Sequence, residues 1–174
     1  MRHNHLISSC ILLLSGILFS NFSLALQTDR KQPIKIEAGK ASIEKKTGIS
    51  TYSNNVMVRQ GSMRITADKI TIYTREGKLV KMTALGKPTT FQQKTNNKNK
   101  SIDASAMKMT FHANSNIAIF ENNAVLKQGG NTFTSNRIVY NIGKDQVNAG
   151  KKSGGDRVTI TIQPAEQKPN MPAQ

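Results

Sequence analysis

Apolar residues fall on every second position along most of this chain. The runs are Ile34-x-Ile36-x-Ala38, Val56-x-Val58, Met63-x-Ile65-x-Ala67, Ile70-x-Ile72 and Val80-x-Met82-x-Ala84. They continue with Met107-x-Met109-x-Phe111, Ile117-x-Ile119, Ile138-x-Tyr140-x-Ile142 and Val158-x-Ile160-x-Ile162. Successive side chains of a strand point to opposite faces. A period of two therefore gives one buried and one wet face, the pattern of antiparallel strands. Nowhere does a capped 3.6-residue period appear. Turn formers separate the runs: Asn54-Asn55, Gly61, Glu76-Gly77, Gly86-Lys87-Pro88, Asn96-Asn97, Asn122-Asn123, Gly129-Gly130 and Gly143. Asn and Gly accept positive φ at low cost, so these positions read as hairpin connections. The pattern predicts an all-β fold of about sixteen short strands.

Internal repeats sharpen the picture. Tyr52-Ser53-Asn54-Asn55-Val56-Met57-Val58-Arg59-Gln60-Gly61 matches Phe120-Glu121-Asn122-Asn123-Ala124-Val125-Leu126-Lys127-Gln128-Gly129, 68 residues further on. A shorter unit, large apolar-x-small, begins at Ile36-Glu37-Ala38, Ile65-Thr66-Ala67, Ile102-Asp103-Ala104 and Phe133-Thr134-Ser135. A small inward residue lets strands pass closely where the chain bends at a corner. Repeated strand pairs that cannot bury their own faces must stack on one another. Alternation alone does not choose between a closed sandwich, a barrel and a solenoid.

The N-terminus departs from this pattern. Arg2 and two histidines precede an apolar stretch from Leu6 to Phe19, and Ser23-Leu24-Ala25 puts small residues at the −3 and −1 positions of a cleavage site. Residues 1–25 therefore read as a cleaved signal peptide. The apolar run is interrupted by serines and falls short of the ~20 residues of a membrane span. Cys10 precedes most of that run, the wrong place for a lipidated N-terminus. The mature chain is expected to start near Leu26, with one domain over 26–162 and a disordered Pro/Gln-rich tail over 163–174, carrying Pro164, Pro169 and Pro172.

Composition then removes chemistry. Cys10, the sole cysteine, leaves with the signal, which excludes disulfides, thiolate metal sites and a Cys nucleophile from the mature chain. His112 is the one histidine left, so a His-cluster metal site is excluded too. The chain has 25 Lys and Arg against 10 Asp and Glu, a formal net charge of +15. For an exported protein, that excess is weak support for nucleic-acid binding, and no nucleic-acid partner is expected. Asp68, Asp103 and Glu37 form no spaced pair for acid–base work, and His112 reads as a surface residue. No enzymatic activity, cofactor or metal is expected. No phosphate-loop motif is present that would draw on a nucleotide triphosphate.

At this point the residues resemble a known family. Gln32-Pro33-Ile34-Lys35-Ile36-Glu37-Ala38, Asn55-Val56-Met57-Val58-Arg59-Gln60-Gly61 and Ile65-Thr66-Ala67-Asp68-Lys69 look like the LptA (OstA-like) family of periplasmic lipopolysaccharide-transport bridge proteins. Gly86-Lys87-Pro88-Thr89-Thr90-Phe91 and the Asn123-Ala124 turn support the same assignment. The likeness runs from about Gln32 to Gly150, with Asn54-Asn55 and Asn122-Asn123 standing where the family commonly has Gly-Asn. It implies a single β-jellyroll, an open, twisted clamp holding lipopolysaccharide acyl chains between its sheets. It also implies inner-membrane-anchored and outer-membrane export partners of similar fold, and energy supplied by an inner-membrane ATPase complex. Matched to the family pattern, Ile34, Ile36, Phe91, Met109 and Phe111 are the lipid-binding candidates, while Val58, Ile65, Ile72, Ile119 and Leu126 are left as core. Lys94, Lys98 and Lys100, and less favourably Lys45 and Lys46, are candidates for the lipid's phosphates. Head-to-tail assembly is expected to join the first strand, Ile34 to Ala38, to the last, Arg157 to Ile162. The alternative is a secreted structural or adhesive β-repeat fibre subunit without lipid cargo.

Overall fold

Alternation along the chain produces ten strands among the described residues, every pairing antiparallel. A computed structural model describes residues 29, 32–94, 101–150 and 157–164. The expected signal peptide, Asn96-Asn97, Lys98, Lys100 and residues 165–174 of the tail lie outside them. The strands are β1 (Lys35–Glu37), β2 (Lys40–Glu44), β3 (Ile49–Gln60), β4 (Met63–Arg75) and β5 (Lys78–Lys94). They continue with β6 (Ser101–His112), β7 (Ile117–Gln128), β8 (Asn131–Asn141), β9 (Gln146–Ala149) and β10 (Thr159–Thr161). They form one sheet in the order β1-β3-β4-β5-β6-β7-β8-β10, with β2 added to β3 and β9 to β8. Its two ends do not pair with each other, so the sheet is open. The expected terminal strands are the marginal ones, shortened to three residues each.

A single crease crosses this sheet. The register breaks between Ser53 and Val56 in β3, Thr66 and Lys69 in β4, Leu85 and Thr89 in β5, Ser105 and Lys108 in β6, and Glu121 and Ala124 in β7. These breaks lie side by side and divide each of the six long strands in two. One half-sheet is bounded by β2 and β9, the other by β1 and β10. The short runs of the sequence are thus half-strands of continuous elements, and this corrects three turn assignments. Asn54-Asn55 lies inside β3, Asn122-Asn123 inside β7, and Gly86-Lys87-Pro88 inside β5. The four asparagines have φ of 67°, 57°, 64° and 57°. Each pair faces a single partner residue, Asp68 or Asn136, which makes it a bulge that bends its strand.

Small residues occupy the inside of the crease. Ala67, Thr89, Ala106, Ala124 and Ser135 are all buried there. The Thr89 hydroxyl donates to the Thr66 carbonyl at 2.8 Å, satisfying a polar group that has no access to water. At Gly86 a Cβ would lie 2.8 Å from the Thr89 backbone nitrogen, so the chain can fold back there only without a side chain. In β4, β5, β6 and β8 the inward phase switches at the crease, for example from Ile65 and Ala67 to Ile70, or from Met82 and Ala84 to Thr89 and Phe91.

The two half-sheets pack on each other through one apolar core that includes Val56, Val58, Ile65, Ile70, Phe91, Ile102, Met109, Phe120, Leu126 and Ile138. Two phase assignments change. Ile119 is outward and half-buried, whereas Ala118 and Phe120 are buried, because the run Ile117-Ala118-Ile119-Phe120 is apolar on both faces. Pairing of Phe120 with Met109 and Ile138 fixes its face. Met107, expected inward with Met109, is exposed, since it sits in the crease where the phase changes. Ile72 packs against the core without being fully buried.

Candidate functional site

The interior between the half-sheets is where the lipid-binding candidates converge, though not in equal environments. Phe91 lies on the C-terminal half of β5, past the crease, between Ile65 of β4 and Ala104 of β6, and is 4% exposed. Met109 lies on the opposite half-sheet between Ala84 and Phe120, and is 2% exposed. Phe120 links them, its ring centroid 6.2 Å from that of Phe91 at an interplanar angle of 56°. Such tilted aromatic pairs add about 0.5–1.5 kcal/mol beyond area burial. Phe111 stands two residues farther from the crease than Met109, between Met82 and Ala118, and is half-buried. Ile36 pairs with Val58 at the β1 margin and is half-buried, while Ile34 just before it is 55% exposed. Phe91 and Met109 are therefore brought together in the sealed middle. Ile34 and Ile36 stand apart at one margin.

The opposite margin is also apolar. Phe133 and Val147 pack against the core, Phe133 pairs with Ile160, and Ile160 and Ile162 are exposed. The inward face is thus apolar from margin to margin, half-buried at Ile36 and Phe133, enclosed at Phe91 and Phe120, and exposed at Ile160.

Opposite the crease, polar side chains tie the half-sheets at the β7–β8 end. The Gln128 amide, at the tip of one half-sheet, donates to Asp145, at the tip of the other. The Tyr140 hydroxyl donates to the same carboxylate at 2.9 Å. Burial, and next the hydrogen bond to Asp145, push the Tyr140 phenol well above its ordinary value. At the β1 margin, Lys35 lies 2.7 Å from Glu37 and holds its exposed carboxyl below the usual range.

Of the phosphate candidates, Lys94 is exposed at the end of β5. Lys45 and Lys46 line a cleft of about 660 Å³, together with Tyr73, Arg75, Lys81 and His112. Sequence reasoning missed Arg75, Lys81 and Phe120. The signal for Phe120 was present in its repeat position opposite Tyr52, whose side chain also packs on the core. Among the described residues no three His, Cys, Asp or Glu side chains gather as a metal site would require.

Fold and interior together define an all-β protein of one creased, open sheet with an elongated apolar interior. The family described as LptA/(LptD N-terminal domain) LPS transport protein matches residues 35–146. The chain belongs to that family. It is 31% identical over 161 residues to the lipopolysaccharide export system protein LptH of Pseudomonas aeruginosa, covering 88% of this chain and 92% of that one. It is 33% identical over 165 residues to the lipopolysaccharide export system protein LptA of Haemophilus influenzae, covering 92% and 95%. The crystal structure of LptH, titled the LptA-homologous periplasmic component of the lipopolysaccharide transport device of Pseudomonas aeruginosa, superposes with a TM-score of 0.73. It is 30% identical and covers 79% of this chain and 99% of that one.

Proposed function

We propose that this chain is a non-enzymatic periplasmic carrier that holds the acyl chains of lipopolysaccharide between its half-sheets and bridges inner and outer membranes during export. The observation that carries this reading is the apolar inward face that runs from the β1 margin, over an enclosed middle, to the β10 margin of a sheet that never closes. Each buried CH₂ is worth about 0.8 kcal/mol, so exposing one chain of about a dozen carbons costs about 10 kcal/mol. A lipid with several such chains does not cross water unaided. The cleaved signal read over residues 1–25 supports delivery to the periplasm. The half-buried residues Ile36 and Phe111, with exposed Ile34, form the accessible part of the track. Phe91 and Met109 become available to lipid as the half-sheets part. Unpaired edges at β1 and β10 accept further copies, or membrane-bound partners of similar fold, by strand addition.

Lipopolysaccharide binding by the purified mature protein tests the reading. Ile36→Asp and Phe111→Asp are expected to weaken binding about tenfold or more, because a carboxylate among acyl chains is desolvated without a partner. Lys127→Ala, on an exposed residue, is expected to bind like the parent. Circular dichroism checks that each variant keeps its strands. Folded aspartate variants that bind like the parent, or a parent that takes up no lipid, overturn it; the latter favours the fibre alternative.

A further inference from the structure

The end of one half-sheet farthest from the crease carries a cleft that the apolar interior does not explain. Two turns lie side by side there, 45–48 between β2 and β3 and 76–77 between β4 and β5. The Thr74 N–H and hydroxyl both donate to the Gly48 carbonyl, at 2.8 and 3.0 Å, and the Gly48 N–H donates to the Glu44 carbonyl at 3.0 Å. Gly48 has φ +70°, and an added Cβ would lie 2.2 Å from the Thr74 carbonyl oxygen. The approach of the turns therefore depends on glycine at that position.

The floor is a cross-strand row on the outer face: Ile49, Tyr73, Lys81 and His112, paired in that order across β3, β4, β5 and β6. The Lys81 ammonium lies 4.1 Å from the centroid of the Tyr73 ring, a cation–π contact that directs it over the floor. Lys45, Lys46 and Arg75 contribute from the two turns, and Glu76 is the single acid in the lining. Among the described residues none of these four cations forms an ion pair. Four cations and one carboxylate thus line a cleft of about 660 Å³, the size of a small-molecule site, and leave it a positive excess. An anion is the ligand such an arrangement favours. A guanidinium beside three ammonium groups suits a phosphate monoester, which offers several acceptor oxygens and up to two charges.

Position narrows the source. The crease closes one side of the interior by continuous backbone, so the polar head of a lipid held between the half-sheets leaves near the tips on the opposite side or at the open margins. At the β7–β8 end those tips are tied by Gln128 and Asp145. The cleft lies at the tips toward the other end, on their outer face, where a head that turns over the tips reaches it. We propose that this cleft binds a phosphorylated sugar of the head of the lipid whose acyl chains lie in the interior, an inference resting on the reading of that interior as a lipid track.

The test uses the full mature protein with three probes: diphosphorylated lipid A, the same lipid A after enzymatic removal of its phosphates, and free glucosamine 1-phosphate. The double variant Arg75→Ala/Lys81→Ala is expected to bind diphosphorylated lipid A about tenfold more weakly than the parent and the dephosphorylated lipid equally well. Lys46→Glu, at an exposed turn position, is expected to do the same. The parent's preference for the phosphorylated lipid is expected to shrink as salt is raised. Equal loss toward both lipids, or no loss toward either, overturns the headgroup site and leaves the track reading intact. A parent that binds neither lipid removes the track reading. If that parent still broadens the phosphorus resonance of glucosamine 1-phosphate and the double variant does not, the cleft takes a free sugar phosphate, and its assignment to a lipid head falls.

Discussion

In the middle of the sheet Phe91, Met109 and Phe120 are almost completely enclosed, whereas at the two margins Ile34 and Ile160 leave more than half of their surface in water. The alternating pattern is the same in both regions. What differs is the number of neighbours available. A residue in the middle has a strand on either side and the other half-sheet above it, while β1, β2, β9 and β10 each pair on one side only. Apolar character in the middle stabilises the fold. At the margins it contributes little to folding and remains available for a partner or a lipid. On the proposed function, stability and binding are thereby distributed along one sheet.

The comparison is tested most severely by removing the link across the interior. Phe120→Ala is expected to destabilise the protein by about 3–5 kcal/mol, as large-to-small changes in packed cores do. Ile43→Ala, on the exposed residue of β2, is expected to change stability by less than about 0.5 kcal/mol. Urea unfolding midpoints with unchanged slope measure both. Equal losses would mean that the margin is part of the core.

A smaller effect is expected at Tyr140, where the interior meets the tie opposite the crease. Tyr140→Phe removes the hydrogen bond to Asp145, at a cost of about 1 kcal/mol at neutral pH. The variant should also change the alkaline limb of stability. The folded phenol holds its proton more tightly than the unfolded one, so the stabilisation is complete below the unfolded value near 10 and is lost as the pH rises above it. Parent stability is expected to fall above about pH 10 more steeply than that of Tyr140→Phe. Parallel curves would show that the phenol is not as enclosed as its surroundings indicate.

Cutting away one margin is expected to change stability little. Removing Val158 to Gln174 takes away β10, three exposed residues, and is expected to cost under about 1 kcal/mol. Its effect on assembly is expected to be large. Light scattering over a concentration series should show growth of the full mature chain into larger species and a monomer for the shortened one. A full-length chain that stays monomeric, or a shortened one that grows equally, rules out end-to-end strand addition.

Much of this architecture was legible in the sequence, and the rest was hidden for identifiable reasons. Period-two alternation marked nearly every half-strand, and the large-x-small units marked the crease at Ala67 and Ser135, whereas in β6 the crease lies at Ala106, two residues past Ala104. Asn54-Asn55 and Asn122-Asn123 were read as hairpin turns because the left-handed conformation serves a turn or a bulge equally well. Only the facing strand, which supplies Asp68 or Asn136, decides between them. Ile117-Ala118-Ile119-Phe120 offers apolar side chains to both faces, so register and not periodicity selects Phe120. Of the basic cleft only Lys45 and Lys46 were legible, because pairing in the folded sheet is what joins residues 45–48, 73–77, 80–81 and 112.

The matching Asn-Asn bulges of β3 and β7 are 68 residues apart in the chain and four strands apart in the sheet. One copy of that span therefore corresponds to four strands, each crossing the crease once. Neighbouring strands are about 4.8 Å apart, so a tandem duplication of the span would widen the protein by roughly 19 Å and leave the bend geometry unchanged. Length in this architecture is a modular quantity: because neither margin must find the other, gene duplication can extend it without redesigning its cross-section.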